Sequence, residues 1–140
     1  MLIDHIPFKH IQIKTSKDAA DILQKIHSNQ EEFDRDKEIL YVIGLTRRQS
    51  IKYIDLVSIG TIDGTVVGVR ELYRNAIHRA VGGGIILSHN HPSGNLSPSE
   101  ADIKLTNRVK EAGKIIDIPL IDHIIFTDEG HYSFANEGLL

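Results

Sequence analysis

A chain of 140 residues, 41 % hydrophobic and 25 % charged, has the size and balance of one soluble globular domain, large enough to bury about two-thirds of its unfolded surface. It contains no cysteine, which excludes disulfides, thiolate zinc sites, cysteine nucleophiles and the zinc nucleobase deaminases, whose site needs a Pro-Cys-x-x-Cys segment. A formal charge of −3 gives no whole-molecule attraction to nucleic acid, and no apolar run approaches the ~18–20 residues of a membrane span or forms a signal sequence, so a cytoplasmic protein without a membrane partner is expected.

Residues 1–14 alternate roughly through Ile3, Ile6, Phe8, Ile11 and Ile13, which predicts an edge strand or a tail packed on a core of residues 15–140. Thr15 or Ser16 can cap a helix running to about Asn29, with Ala19, Ile22, Leu23 and Ile26 as its apolar stripe. The charged run 30–37 reads as a solvated connector. The β-branched segment from Glu38 to Leu45 is a buried strand, Thr46 to Ser50 a turn, and Ile51 to Ile59 a second strand, together a hairpin. Gly60 to Gly68 is loop-like. A helix is predicted over Arg70 to Val81, with Leu72, Tyr73, Ala76, Ile77 and Ala80 inward. Arg70, Arg74 and Arg79 share it, but Glu71 interrupts any basic face. Gly82-Gly83-Gly84 then turns the chain into the apolar strand Ile85-Ile86-Leu87. These glycines follow a helix rather than leading from a strand into one, so they do not read as a phosphate-cradling loop.

The next sixteen residues, Leu87 to Asp102, concentrate the chemistry. On an extended backbone, side chains two apart share a face, so His89 and His91 point together while Asn90 points away. Pro92-Ser93-Gly94-Asn95 is turn chemistry. Ser97-Pro98-Ser99-Glu100 predicts a helix start, with Ser97 as N-cap, Pro98 in the first position and Glu100 closing a capping box. Ser99 and Asp102 then lie three apart on one helical face. A strand end would supply two imidazoles, and a tight loop would bring back a hydroxyl and a carboxylate. Two neutral histidines and one aspartate make three ligands for Zn²⁺ with a fourth position open, the arrangement of a catalytic rather than a structural zinc.

Beyond Asp102 the helix continues with Leu105, Val109 and Ala112 inward, and Gly113 is a natural stop. Ile115 to Ile118, Leu120 to Thr127 and Tyr132 to Phe134 are short strand candidates, with Asp128-Glu129-Gly130 as a turn. His123, in an apolar strand, reads as a hydrogen-bonded core histidine rather than a fourth ligand, or as a support for a metal ligand. His5 and His10 read as solvated or packing residues, and His27, His78 and His131 as exposed. Strand–helix alternation after an early hairpin predicts an α/β domain with a mixed sheet sandwiched between helices.

The spacing His89-x-His91-x(7)-Ser99-x(2)-Asp102 matches the JAMM motif of the JAB/MPN+ metalloproteases. The fuller string from Ser88 to Asp102 resembles the RadC branch, which carries an asparagine, here Asn90, where many JAMM enzymes have Ser or Thr. The resemblance runs from about Glu38 to the C-terminus and includes Gly60-Thr61-Ile62-Asp63, Arg70-Glu71 and Asp122-His123-Ile124-Ile125. Gly68-Val69 stands where the family usually has His-Pro. The resemblance implies a three-layer, cytidine-deaminase-like domain in which His89, His91 and Asp102 hold Zn²⁺. It also implies that Glu38 is the general base and that Ser99 stabilises the oxyanion while activated water attacks a peptide or isopeptide carbonyl. A different reading of the same domain is a non-catalytic accessory module of DNA repair or mobile elements with an incidental metal. Longer RadC relatives carry an N-terminal helical region resembling helix-hairpin-helix DNA binders. This chain starts too close to the domain to hold one, so nucleic-acid contact is expected to be weak or indirect. A metal-dependent nuclease is the third reading, disfavoured because such sites gather more carboxylates for two metals.

Overall fold

The computed structural model describes residues 1–3, 7–60 and 67–140. His5, Ile6, the Thr61-Ile62-Asp63 part of the resemblance and most of the loop expected between Gly60 and Gly68 lie outside them. The elements in chain order are α1 (Ser16–Ser28), α2 (Glu32–Arg35), β1 (Glu38–Leu45), β2 (Ile51–Gly60), α3 (Val69–His78), β3 (Ile85–Asn90), α4 (Glu100–Ile116), β4 (Leu120–Phe126) and β5 (His131–Ser133). The five strands form one sheet in the order β2-β1-β3-β4-β5. Only β3 and β4, joined through α4, run parallel; the other neighbours are antiparallel. This is the mixed sheet expected of an α/β domain.

Alternation along β1 divides the core in two. Ile39, Tyr41, Ile43 and Leu45 face α1, where they meet Ala19, Ala20, Leu23 and Ile26. Leu40 and Val42 face the opposite side, against Leu72, Tyr73 and Ala76 of α3 and Leu105 and Val109 of α4. β1 and β3 are buried along nearly their whole length because helices cover both of their faces, which is why their sequences are continuously apolar. At ~1.5–3 kcal/mol for each large apolar side chain removed from water, these two layers supply the main apolar stabilisation of the fold. The N-terminal tail runs antiparallel along the outer edge of β2, through bridges at Leu2–Asp55 and Gln12–Ser50 and through Ile51 N–H to Ile11 O at 2.8 Å.

Several local expectations are corrected. The connector contains a short helix, α2. α3 ends at His78, and Ala80 turns the chain with φ 50°. Leu72, Tyr73 and Ala76 fill the sheet-facing stripe, so Ile77, 60 % exposed, and Ala80 point outward. Gly113 does not stop α4, which continues to Ile116 and is capped by Asp117 in the left-handed conformation. Residues 115 and 116 are therefore helical rather than strand. Gly113 serves close packing instead: a Cβ there would lie 2.5 Å from both Ile118 O and Tyr73 Oη. Among the described residues no helix is long and apolar enough to cross a membrane.

Candidate metal centre

β3 and β1 build the first half of the site. Their antiparallel register places Leu40 opposite His89, on the face covered by α3 and α4. Continued two residues past that pair, the same register would bring Glu38, the first residue of β1, towards His91. Asn90 points to the other face, and its side chain takes over the ladder there. Its Oδ1 accepts from Ile39 N–H at 2.7 Å and its Nδ2 donates to Lys37 O at 2.9 Å. That clamp fixes the first residues of β1 beside the histidines, and Glu38 is close enough for its charge to help raise the His91 pKa.

The loop and α4 build the second half. Gly94, at φ 83°, closes the turn with its N–H on His91 O at 3.0 Å. The helix start differs from the one predicted. Ser97 is not the cap: its N–H is held by Asn95 Oδ1 at 2.9 Å, and α4 begins only at Glu100. Ser99 is the N-cap. Its Oγ accepts from Asp102 N–H at 3.0 Å, and Asp102 Oδ2 accepts from Ser99 N–H at 2.8 Å, a reciprocal capping box. The shift by two residues turns Asp102, rather than Glu100, back towards the sheet. It also places the positive end of the helix dipole at the site.

The three predicted ligands converge. His89 Nε2 lies 3.0 Å from His91 Nε2 and 3.2 Å from Asp102 Oδ1, and His91 Nε2 lies 3.2 Å from Asp102 Oδ2. Four-coordinate N and O ligands ~2.0–2.1 Å from one Zn²⁺ stand about 3.3 Å apart, so the donor set fits a single small cation. His91 Nδ1 faces Asn95 O at 2.6 Å and must donate to that carbonyl, which leaves Nε2 with its lone pair towards His89. Two imidazole lone pairs 3.0 Å apart repel unless a cation or a proton lies between them. Burial works against the Asp102 charge, but the two imidazoles beside it and the Ser99 N–H outweigh it and hold the carboxyl far below the usual carboxylate range. The reciprocal effect, an Asp102 hydrogen bond opposed by partial burial, raises His91.

Ser99 sits at the edge of this cluster, its hydroxyl hydrogen not used by the cap. His123 is fully buried behind it. Its Nε2 lies 2.8 Å from His89 Nδ1, and its Nδ1 lies 2.5 Å from Thr106 Oγ1. The ring stacks on Phe134 at 4.7 Å between centroids, 11° from parallel. Burial pushes the His123 pKa well below that of a free imidazole, so the ring is neutral. Its orientation depends on a bulge. Ile85 and Ile86 pair with Leu120 and Asp122, so Ile121 is an extra residue on β4, and the alternation after it turns His123 towards α4. Sequence reasoning missed Thr106, although its position four residues after Asp102 puts it on the same helical face. Asn95, expected only to make the turn, also accepts from His91 through its backbone carbonyl.

Among the described residues, the other histidines lie apart from this cluster. His27 is buried rather than exposed, because α1 turns it onto Phe126 at 5.4 Å, with Nδ1 3.2 Å from Tyr41 Oη. Burial lowers its pKa. His10 and His78 are exposed, and His131 is half-buried against Ser16 Oγ at 3.2 Å. A cleft of ≈ 450 Å³ opens beside His91 and Pro92, with Asn90 in its wall and Arg35, Asp128 and Glu129 around it.

Comparison with known proteins bears on the family of the chain. The sequence profile of the RadC-like JAB domain matches residues 13–139. A UPF0758 protein of Chlorobium chlorochromatii is 42 % identical over 107 residues, covering 76 % of this chain and 48 % of that protein. One from Flavobacterium johnsoniae is 38 % identical over 128 residues, covering 91 % and 53 %. One from Thermotoga maritima is 35 % identical over 132 residues, covering 94 % and 59 %. The chain thus spans about half the length of the curated relatives it matches.

Proposed function

Because the chain belongs to the RadC-like JAB domain family, we propose that it is a zinc-dependent hydrolase that cleaves a peptide or isopeptide amide. The observation that carries the reading is the meeting of His89 Nε2, His91 Nε2 and an Asp102 carboxylate within 3.0–3.2 Å, beside Glu38 on the neighbouring strand. Imidazole and carboxylate donors together suit zinc. Bound there, Zn²⁺ would supply Lewis acidity, easing both deprotonation of a water and growth of negative charge on the carbonyl oxygen.

The chain's own groups complete the chemistry. Glu38 takes a proton from the attacking water as the new C–O bond forms, and returns it to the amide nitrogen as the C–N bond breaks. The Ser99 hydroxyl donates to the carbonyl oxygen while its lone pair keeps the cap. The α4 N-terminus favours the same negative charge. Asn90 holds the Glu38 end of β1 in register with the ligands.

The test joins metal analysis to hydrolysis of a mixed peptide and isopeptide library read by mass spectrometry. The wild type is expected to carry about one zinc, and a His89→Ala, His91→Ala double variant none. Glu38→Gln keeps the size of the side chain and removes the base. It should retain zinc and thermal stability while lowering turnover by roughly 10²-fold or more. Equal zinc in wild type and double variant refutes the metal assignment. Unchanged turnover in Glu38→Gln refutes the base.

A further inference from the structure

We infer that His123 and Thr106 form a positioning relay that fixes which nitrogen of His89 carries its proton, and so keeps the His89 Nε2 lone pair aimed into the triad. The inference rests on the metal-centre reading above. It concerns residues with no part in the reaction itself, and it follows from counting protons along one line of hydrogen bonds.

The count starts at a group that can only accept. The backbone carbonyl of Asp102 lies 2.7 Å from Thr106 Oγ1, so the Thr106 hydroxyl hydrogen must point at it. That hydroxyl has one hydrogen, and its remaining capacity is as an acceptor. His123 Nδ1, 2.5 Å away, therefore carries a proton and donates it to Oγ1. A neutral imidazole with its proton on Nδ1 has a lone pair on Nε2. His89 Nδ1, 2.8 Å from that lone pair, must be the donor. With its proton on Nδ1, a neutral His89 has its lone pair on Nε2, the atom that faces His91 and Asp102. The polarity of the line is set at its far end, in the backbone of α4, and delivered at the ligand nitrogen.

Three further features make the relay stiff. His123 is wholly buried, so no water can replace either partner. Its ring is stacked on Phe134 and cannot swing without leaving that face. The anchoring carbonyl belongs to Asp102, whose side chain enters the triad, so the relay ties one ligand to the backbone of another.

The chemistry of the relay also differs from the usual support. A metal-bound histidine commonly donates its second N–H to a carboxylate, a backbone carbonyl or water. His91 follows that habit with Asn95 O, whereas His89 donates to a neutral imidazole. An imidazole acceptor fixes the tautomer without adding a negative charge behind the ligand. Asp102 then remains the one formally charged donor of the triad, and the charge of a divalent ion is only partly neutralised.

Two readouts test this, one needing no metal. In metal-free protein with ¹⁵N-labelled histidine, long-range ¹H–¹⁵N spectra at neutral pH should show the protons of His89 and His123 on Nδ1. A His89 proton confined to Nε2 overturns the relay. Zinc affinity is then measured by competition with a chromophoric chelator in Thr106→Val, Thr106→Ser, His123→Leu and His123→Gln, with folding checked by circular dichroism. Thr106→Val and His123→Leu remove the acceptors and should weaken binding about tenfold or more. Thr106→Ser restores the hydroxyl. His123→Gln offers a carbonyl to His89 and an amide N–H to Thr106, so both should return towards wild type. Folded Thr106→Val and His123→Leu proteins with wild-type affinity overturn the inference. A wild type that takes up no zinc but shows the Nδ1 tautomers supports the relay while refuting the metal centre.

Discussion

Ser99 offers the sharpest test, because its hydroxyl is assigned two jobs that can be separated. As N-cap it accepts from Asp102 N–H at 3.0 Å, and as a donor it is placed to meet the carbonyl oxygen of a substrate. Ser99→Ala removes both. The cap is worth about 1 kcal/mol, and the backbone bond from Ser99 N–H to Asp102 Oδ2 at 2.8 Å survives the change, so Asp102 stays turned towards the histidines. For a domain of this size that loss lowers Tm by roughly 3–4 °C. Against a total stability of ~5–15 kcal/mol it leaves the protein folded at 25 °C, so unfolding cannot explain a lost rate. Loss of one oxyanion donor should cost ~10²-fold or more in turnover. Ser99→Gly separates the roles, since glycine at an N-cap costs only about a few tenths of a kcal/mol yet has no hydroxyl. Ser99→Thr keeps both. The expected pattern is a Tm order of wild type ≈ Thr > Gly > Ala, with turnover kept in Thr and lost equally in Gly and Ala. Calorimetry, zinc analysis and library hydrolysis measure the three quantities. Turnover that follows Tm, with Gly near wild type, would show that Ser99 acts only through the helix.

Zinc and a proton compete for His91 Nε2, whose pKa is raised chiefly by Asp102. Apparent zinc affinity should therefore climb with pH until it passes that raised pKa and level off above it, as competition titrations across about pH 5.5–8.5 would show. Asp102, held below its ordinary value of 3.8, contributes stability to the metal-free protein that is present above that value and lost as pH falls below it; acid titration of Asp102→Asn should lack that component. Because the two apolar layers hold the fold, chelation by EDTA should leave far-UV circular dichroism unchanged, and collapse of the spectrum would instead mark a structural metal. Gly113→Ala would gain about 1 kcal/mol of helix propensity but forces Cβ to 2.5 Å from Ile118 O, a backbone atom that cannot yield cheaply. At ~1–3 kcal/mol for such overpacking the net effect is a lower Tm, and an unchanged or higher Tm would mean that the α4 end relaxes freely.

The parts of the site governed by short-range rules were legible in the sequence. The two-residue period of a strand put His89 and His91 on one face, and a capped helix after a tight turn brought Asp102 back to them. The relation of Glu38 to the histidines required either an antiparallel pairing or a staggered parallel one. The pairing is antiparallel, and the Asn90 side chain that pins it could not have been read from periodicity. Tertiary competition decided the rest. The cap falls not on Ser97 but on Ser99, where the carboxylate three residues later has imidazoles to meet. Gly113 resembled a helix stop but is a point of close packing, which no local pattern encodes. His27 reads as exposed because nothing in the sequence converges on it, yet helix geometry turns it onto Phe126. The facing of His123 hung on a bulge at Ile121, and a one-residue slip is invisible to a pattern that counts by twos.

The sheet also bears on how the protein behaves in a crowded solution. An open sheet ends in two rows of unpaired N–H and C=O groups, each a template on which another molecule's strand can grow. Here one boundary is β5, three residues long and too short to template much. The other is β2, ten residues and rich in Ile, Val and Tyr, the kind of strand that seeds aggregation when bare. The tail lies along it, with Ile3 N–H on Ile54 O, Ile13 N–H on Gln49 O and Ile51 N–H on Ile11 O, each at 2.8–2.9 Å. The described residues of this tail, which contribute nothing to the metal site, thus occupy hydrogen-bonding groups along the sheet's longest border and keep it from recruiting its neighbours.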